Sequence, residues 1–161
     1  MARPGRHRRQ YRVREATPPR YASTSPATAL TGVLLDSDVI IDVLRGRAET
    51  VAEVGRLAAA GIPTYTCAVS VAEIFVGVRP GEETLTEAFF EARGDITLDA
   101  ATGRRAGTYL SRYASSHGLE IADALIAAAA ATAGLPLWTK NTRHYPMDGL
   151  RLYRPAPVTS R

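Results

Sequence analysis

Cysteine is nearly absent from the chain. Its 161 residues include one, Cys67, which excludes an intramolecular disulfide and a cysteine-rich zinc site and suits a reducing, cytoplasmic setting. Long hydrophobic runs are missing too. The longest, residues 124–133, is about half of what a bilayer crossing needs, so no membrane association is expected. Lysine is also scarce. One Lys stands against 19 Arg, so the total charge of +4 is decided almost entirely by where arginine sits. Seven of those arginines lie in residues 1–30 against the single acid Glu15, giving that segment +6 and leaving −2 for residues 31–161. A slightly acidic body does not attract polyanions by composition.

What is present divides the chain unevenly. Residues 1–30 show no hydrophobic periodicity, carry Pro18, Pro19 and Pro26, and end in a Ser/Thr/Ala-rich stretch. They read as a disordered basic extension. No apolar core of about seven residues follows Arg8-Arg9, so a secretory signal is not expected. A transit peptide, a solvated extension and sequence upstream of the true start codon all remain open. At 17.3 kDa with 45% hydrophobic residues, the whole chain is enough for one folded domain, expected over residues 31–155, with a flexible C-terminus over 156–161.

Within that domain short apolar runs alternate with amphipathic stretches. Strands are expected at 33–35, 63–69, 96–98, 135–139 and 150–153. Helices are expected at 38–45, 48–60 with Val51, Val54, Leu57 and Ala58 on one face, 70–78, 82–92, 100–116, and an Ala-rich buried one at 123–133. The alternation predicts an α/β sandwich, three layers deep around a mostly parallel sheet.

Open parallel sheets bind ligands at the carboxyl ends of their strands. Four polar residues fall there: Asp36, Glu73, Asp123 and Asn141. Three carboxylates gathered at one edge repel unless a cation sits among them, and oxygen ligands without His or Cys select Mg²⁺ or Mn²⁺ over zinc. Each acid also has a local explanation. Ser70-Val71-Ala72-Glu73 fits a capping box, and Asp36 and Asp123 fit helix-start acids. Capping does not require carboxylates at three strand ends, since Ser, Thr or Asn serve equally well. Asp99 reads as a helix cap, Asp38 as a helix-start acid rather than a fourth charge at the site, and Asp42 and Asp148 as solvated.

The blocks Leu34-Leu35-Asp36-Ser37-Asp38, Val69-Ser70-Val71-Ala72-Glu73, Ile121-Ala122-Asp123-Ala124 and Leu137-Trp138-Thr139-Lys140-Asn141-Thr142-Arg143-His144-Tyr145, in this order, resemble the PIN-domain ribonucleases, in particular VapC-type toxins of bacterial toxin–antitoxin pairs. The resemblance spans about residues 32–155 and implies a five-stranded PIN-like sheet, Mg²⁺-dependent (or Mn²⁺-dependent) hydrolysis of RNA by a water nucleophile, a homodimer, and a cognate antitoxin that blocks the site. It implies Asp36, Asp123 and Glu73 as metal ligands and catalytic residues, with Asn141 at a position where many members carry a fourth acid. Thr139 matches a hydroxyl position beside the site, and Arg143 and His144 stand where they can contact RNA phosphates. Two rivals come from other classes. An inactive PIN-like binding module is motivated by Asn141 in place of an acid. A receiver-like phosphoacceptor is opposed by the adjacency of Thr139 and Lys140 and by its having no use for Glu73 and Asp123.

Overall fold

The computed structural model describes residues 31–156; the expected basic extension and the last five residues lie outside them. Four strands form one sheet: β1 (Val33–Leu35), β2 (Thr64–Cys67), β3 (Gly94–Ile96) and β4 (Leu137–Trp138), in the order β3-β2-β1-β4 with every pair parallel. The helices are α1 (Ser37–Leu44), α2 (Ala48–Ala59), α3 (Ala68–Val76), α4 (Glu83–Glu91), α5 (Ala100–His117) and α6 (Ile121–Ala133), followed by a 3₁₀ turn at Thr142–His144. The α/β sandwich with a parallel sheet is as expected. The fifth strand, expected at 150–153, is reduced to a single parallel bridge between Leu137 and Leu152.

Successive residues of β1 point to opposite faces, and this alternation divides the core. Leu34 packs with Cys67, Ile96 and the alanines of α6, while Val33 and Leu35 pack with Val39, Ile40, Leu57, Ile74 and Trp138 on the other side. Ala127 to Ala130 are all fully buried, so α6 lies close against the sheet. Gly134, with φ of 68°, ends α6 in the left-handed conformation and turns the chain into β4.

Local departures from the expected elements have identifiable causes. On α2 the buried positions are Thr50, Glu53 and Leu57, and Val51 is exposed. Glu53 tolerates burial because Arg56 donates two hydrogen bonds to it and the Tyr153 hydroxyl a third, which holds the carboxyl well below its ordinary pKa. β3 begins two residues early because Gly94 leaves room for the Tyr65 ring: a Cβ there would lie 2.4 Å from it. Asp99 is then free to cap α5, accepting from the Thr102 amide at 2.8 Å.

The strand order places the site. The chain runs from β1 outward through β2 to β3, then returns to the far side of β1 as β4. A crevice therefore opens between the carboxyl ends of β1 and β4, the place where such sheets bind ligands.

Candidate active site

Asp36 leaves β1 directly into that crevice. It caps α1 by accepting from the Ser37 amide at 2.8 Å, so the helix-start reading is correct as far as it goes. Its other oxygen accepts from the Tyr145 hydroxyl at 2.7 Å. Asp36 is 6% exposed, and burial, helped by the charge of Asp38, pushes its pKa up to about 6 against the opposing hydrogen bonds from Tyr145 and Ser37.

Asp123 arrives from the first turn of α6 and caps nothing. One oxygen lies 3.3 Å from the same Tyr145 hydroxyl, the other 3.3 Å from His144 Nδ1. Two carboxylates 87 positions apart thus converge on one phenolic oxygen.

Glu73 comes from the middle of α3, and its environment corrects the capping-box expectation. That helix begins at Ala68, so Ser70 sits inside it, fully buried beside Cys67. Glu73 instead accepts from the Ser37 hydroxyl at 2.5 Å, which ties it to the residue after Asp36. It is exposed to solvent.

The loop after β4 is held from α1. Asp38 Oδ2 accepts from the Thr139 hydroxyl at 3.3 Å and from the amides of Lys140 and Asn141 at 2.9 and 3.2 Å. One turn along, Asp42 pairs with Lys140 Nζ at 2.5 Å, which lowers the pKa of its carboxyl. Asp38 therefore does more than start a helix, and Asp42 is an ion-paired clamp instead of a solvated acid. Asp38 Oδ1 is buried without a partner among the described residues. Substituting Asn keeps the acceptor that the three donors use and removes a half-buried charge beside Asp36. Asp38→Asn is accordingly expected to leave denaturant stability unchanged or raised, whereas Asp38→Ala should lose about 1–3 kcal/mol, both read by equilibrium unfolding.

Of the remaining expected residues, Thr139 is buried and donates to Asp38, and its oxygen accepts from the Asn141 amide at 3.0 Å. His144 Nδ1 lies 2.8 Å from Asn141 Nδ2 and 3.3 Å from Asp123 Oδ2, so Asn141 reaches Asp123 only through that ring. His144 folds inward onto Asp123, while Arg143 points its exposed position to solvent beside it. Tyr145 has no assigned role in the sequence reading. The available signal was its place beside Met147 in a stretch that returns to the core, since a buried tyrosine hydroxyl needs a partner.

No three His, Cys, Asp or Glu side chains converge at metal-ligand distances among the described residues. The donor chemistry nevertheless fits a hard divalent cation. Asp36 and Asp123 share one point of approach, the donors are oxygens, and Asp38 Oδ1 adds an unsatisfied negative atom. Beside Glu73, a groove of about 220 Å³ has a mixed lining, with Ile41, Leu44, Ile74 and Leu85 alongside the charged Arg45 and Arg79. Leu85, on its wall, is 64% exposed.

Comparison with known proteins gives consistent findings. The sequence matches the PIN domain family over residues 33–150. It is 34% identical over 115 residues to ribonuclease VapC19 of Mycobacterium tuberculosis (strain CDC 1551 / Oshkosh), covering 71% of this chain and 92% of that one. The fold is similar to DNA-bound VapBC from Salmonella typhimurium, with a TM-score of 0.66 at 18% identity over 77% of this chain and 98% of the other. It is also similar to a toxin–antitoxin complex from Klebsiella pneumoniae, with a TM-score of 0.62 at 23% identity over 79% and 100%.

Proposed function

The chain belongs to the PIN-domain family, and from that premise we propose that it is a metal-dependent endoribonuclease, the toxin of a toxin–antitoxin pair. The observation that carries this reading is the convergence of Asp36 and Asp123 on one point in the crevice between β1 and β4. The relative's name supplies the substrate class, RNA.

Asp36 and Asp123 would hold the ion, Mg²⁺ or Mn²⁺, with Glu73 completing the set. When bound, such an ion neutralises charge on the phosphoryl oxygens and lowers the pKa of water. Glu73, anchored by Ser37 through one oxygen, keeps its other oxygen for the proton that the attacking water gives up. The Asn141 side chain lies against the His144 ring beside Asp123, and Arg143 is exposed and available to an RNA phosphate. The Asp38 clamp keeps this loop against α1.

The partner is an antitoxin, a proposal supported by the toxin–antitoxin complexes that share the fold. The groove beside Glu73, with its apolar and charged walls, gives such a partner a surface whose occupation would also cover Glu73. Two copies of the chain would form the active assembly, as the resemblance to VapC-type toxins implies.

Water as nucleophile has a distinguishing product. RNA cut by the purified protein is expected to carry 5′-phosphate and 3′-hydroxyl ends, read by ligation-dependent end mapping. Ends bearing 2′,3′-cyclic phosphate would show attack by the ribose hydroxyl and overturn this mechanism. A complete lack of cleavage with stoichiometric RNA binding would favour the inactive binding module, which Asn141 in place of an acid suggests.

A further inference from the structure

Tyr145 is 4% exposed, and its ring belongs to the core cluster that contains Leu34, Leu137 and the alanines of α6. Packing accounts for the ring. It does not account for the hydroxyl, because a phenylalanine would fill the same space without bringing a polar atom into the core. That hydroxyl emerges between the two carboxylates, 2.7 Å from Asp36 Oδ2 and 3.3 Å from Asp123 Oδ1. A phenolic O–H between two carboxylates can only be the donor to them.

The hydroxyl has little freedom to leave. Its ring is set in the core, and its backbone follows a 3₁₀ turn, with the Tyr145 amide donating to the Thr142 carbonyl at 3.2 Å. That turn starts from Asn141, whose amide Asp38 holds. A fixed donor shared by two otherwise repelling carboxylates sets both their separation and which oxygen each one turns away.

We propose that Tyr145 is a positioning residue of the metal site, whose hydroxyl holds the Asp36 and Asp123 carboxylates in the arrangement that a divalent cation requires. The inference rests on the metal-dependent reading above. Donors behind metal ligands commonly change affinity by about 10–100-fold when removed. A hydroxyl that only satisfied a core position would leave affinity alone, and one that competed with the ion would tighten binding when lost.

The test is Mn²⁺ binding to metal-free full-length protein, followed by electron paramagnetic resonance of the free ion, with thermal melts confirming folding. Tyr145→Phe, which retains the ring, is expected to weaken Mn²⁺ binding by about 10–100-fold. Tyr153→Phe serves as the control, because its hydroxyl serves Glu53 and Arg56 on α2; it is expected to bind Mn²⁺ like the wild type. Unchanged or tighter binding by Tyr145→Phe, with Asp36→Asn defective, overturns the positioning role and leaves the metal site standing. If the wild type takes up no Mn²⁺ at millimolar concentration, the metal-dependent reading fails and this inference with it.

Discussion

Asp36→Asn is expected to lower RNA cleavage by about a thousand-fold or more while making the metal-free protein more stable at neutral pH. The activity loss follows from removing one of two carboxylates that would hold the ion, whose contribution to transition-state charge is several kcal/mol, at about 1.4 kcal/mol per tenfold. The stability gain follows from burial. A carboxyl whose pKa is raised to about 6 in the fold is ionised at pH 7.5 at a cost of roughly 3 kcal/mol relative to the unfolded chain. Asn carries no such cost and keeps the cap on Ser37 through its one oxygen, while its NH2 stands where Oδ2 accepted and donates to the Tyr145 hydroxyl oxygen instead. The sign fixes a pH dependence. The folded state holds the Asp36 proton more tightly than the unfolded state, so the group's favourable contribution is complete below about pH 4 and is lost as pH rises through 6. The stability difference between Asp36→Asn and wild type should therefore open between pH 4 and 7, measured by chemical denaturation in chelator. Equal stabilities across that range, or a less stable variant at pH 7.5, would mean that Asp36 acts chiefly as a helix cap.

The elements that bring Asp36 and Asp123 to the crevice were legible because their signals are local. Val33-Leu34-Leu35 is a short apolar run followed at once by an acid, and the nearly uncharged α6 has to be buried, with Asp123 in its first turn. What was not legible depends on partners far away in sequence. Asp38 and Asp42 look like ordinary acids of an amphipathic helix, and only the return of β4 beside β1 shows that they clamp a loop about 100 residues later. Glu73 was misread for the opposite reason. Its local pattern suits a capping box, but the chain enters α3 two residues before Ser70, and the supposed cap is buried against Cys67. The face of α2 was shifted because a buried glutamate contradicts hydropathy until Arg56 and Tyr153 are seen to satisfy it. The last strand shrank to one bridge because Leu152 alone pairs with Leu137. Tyr145 escaped assignment because its hydroxyl meets residues from two other elements, Asp36 and Asp123.

Removing divalent metal is expected to have an effect as large as removing Asp36. The crevice gathers Asp36, Asp38 and Asp123 with no basic side chain bonded to Asp36 or Asp38 among the described residues, so without a cation an approaching phosphodiester meets net negative charge. Neither His144 nor Lys140 offers a metal-free substitute: the first is turned onto Asp123 and the second is paired with Asp42. The most direct measurement is therefore cleavage of a single-stranded or loop-containing RNA by one preparation carried through three conditions: Mg²⁺ or Mn²⁺, excess EDTA, and restored metal. The account predicts cutting in the first, its loss in the second, recovery in the third, and no cutting under any of them by Asp123→Asn. Cleavage that continues undiminished in EDTA, or that survives in Asp123→Asn, would contradict it.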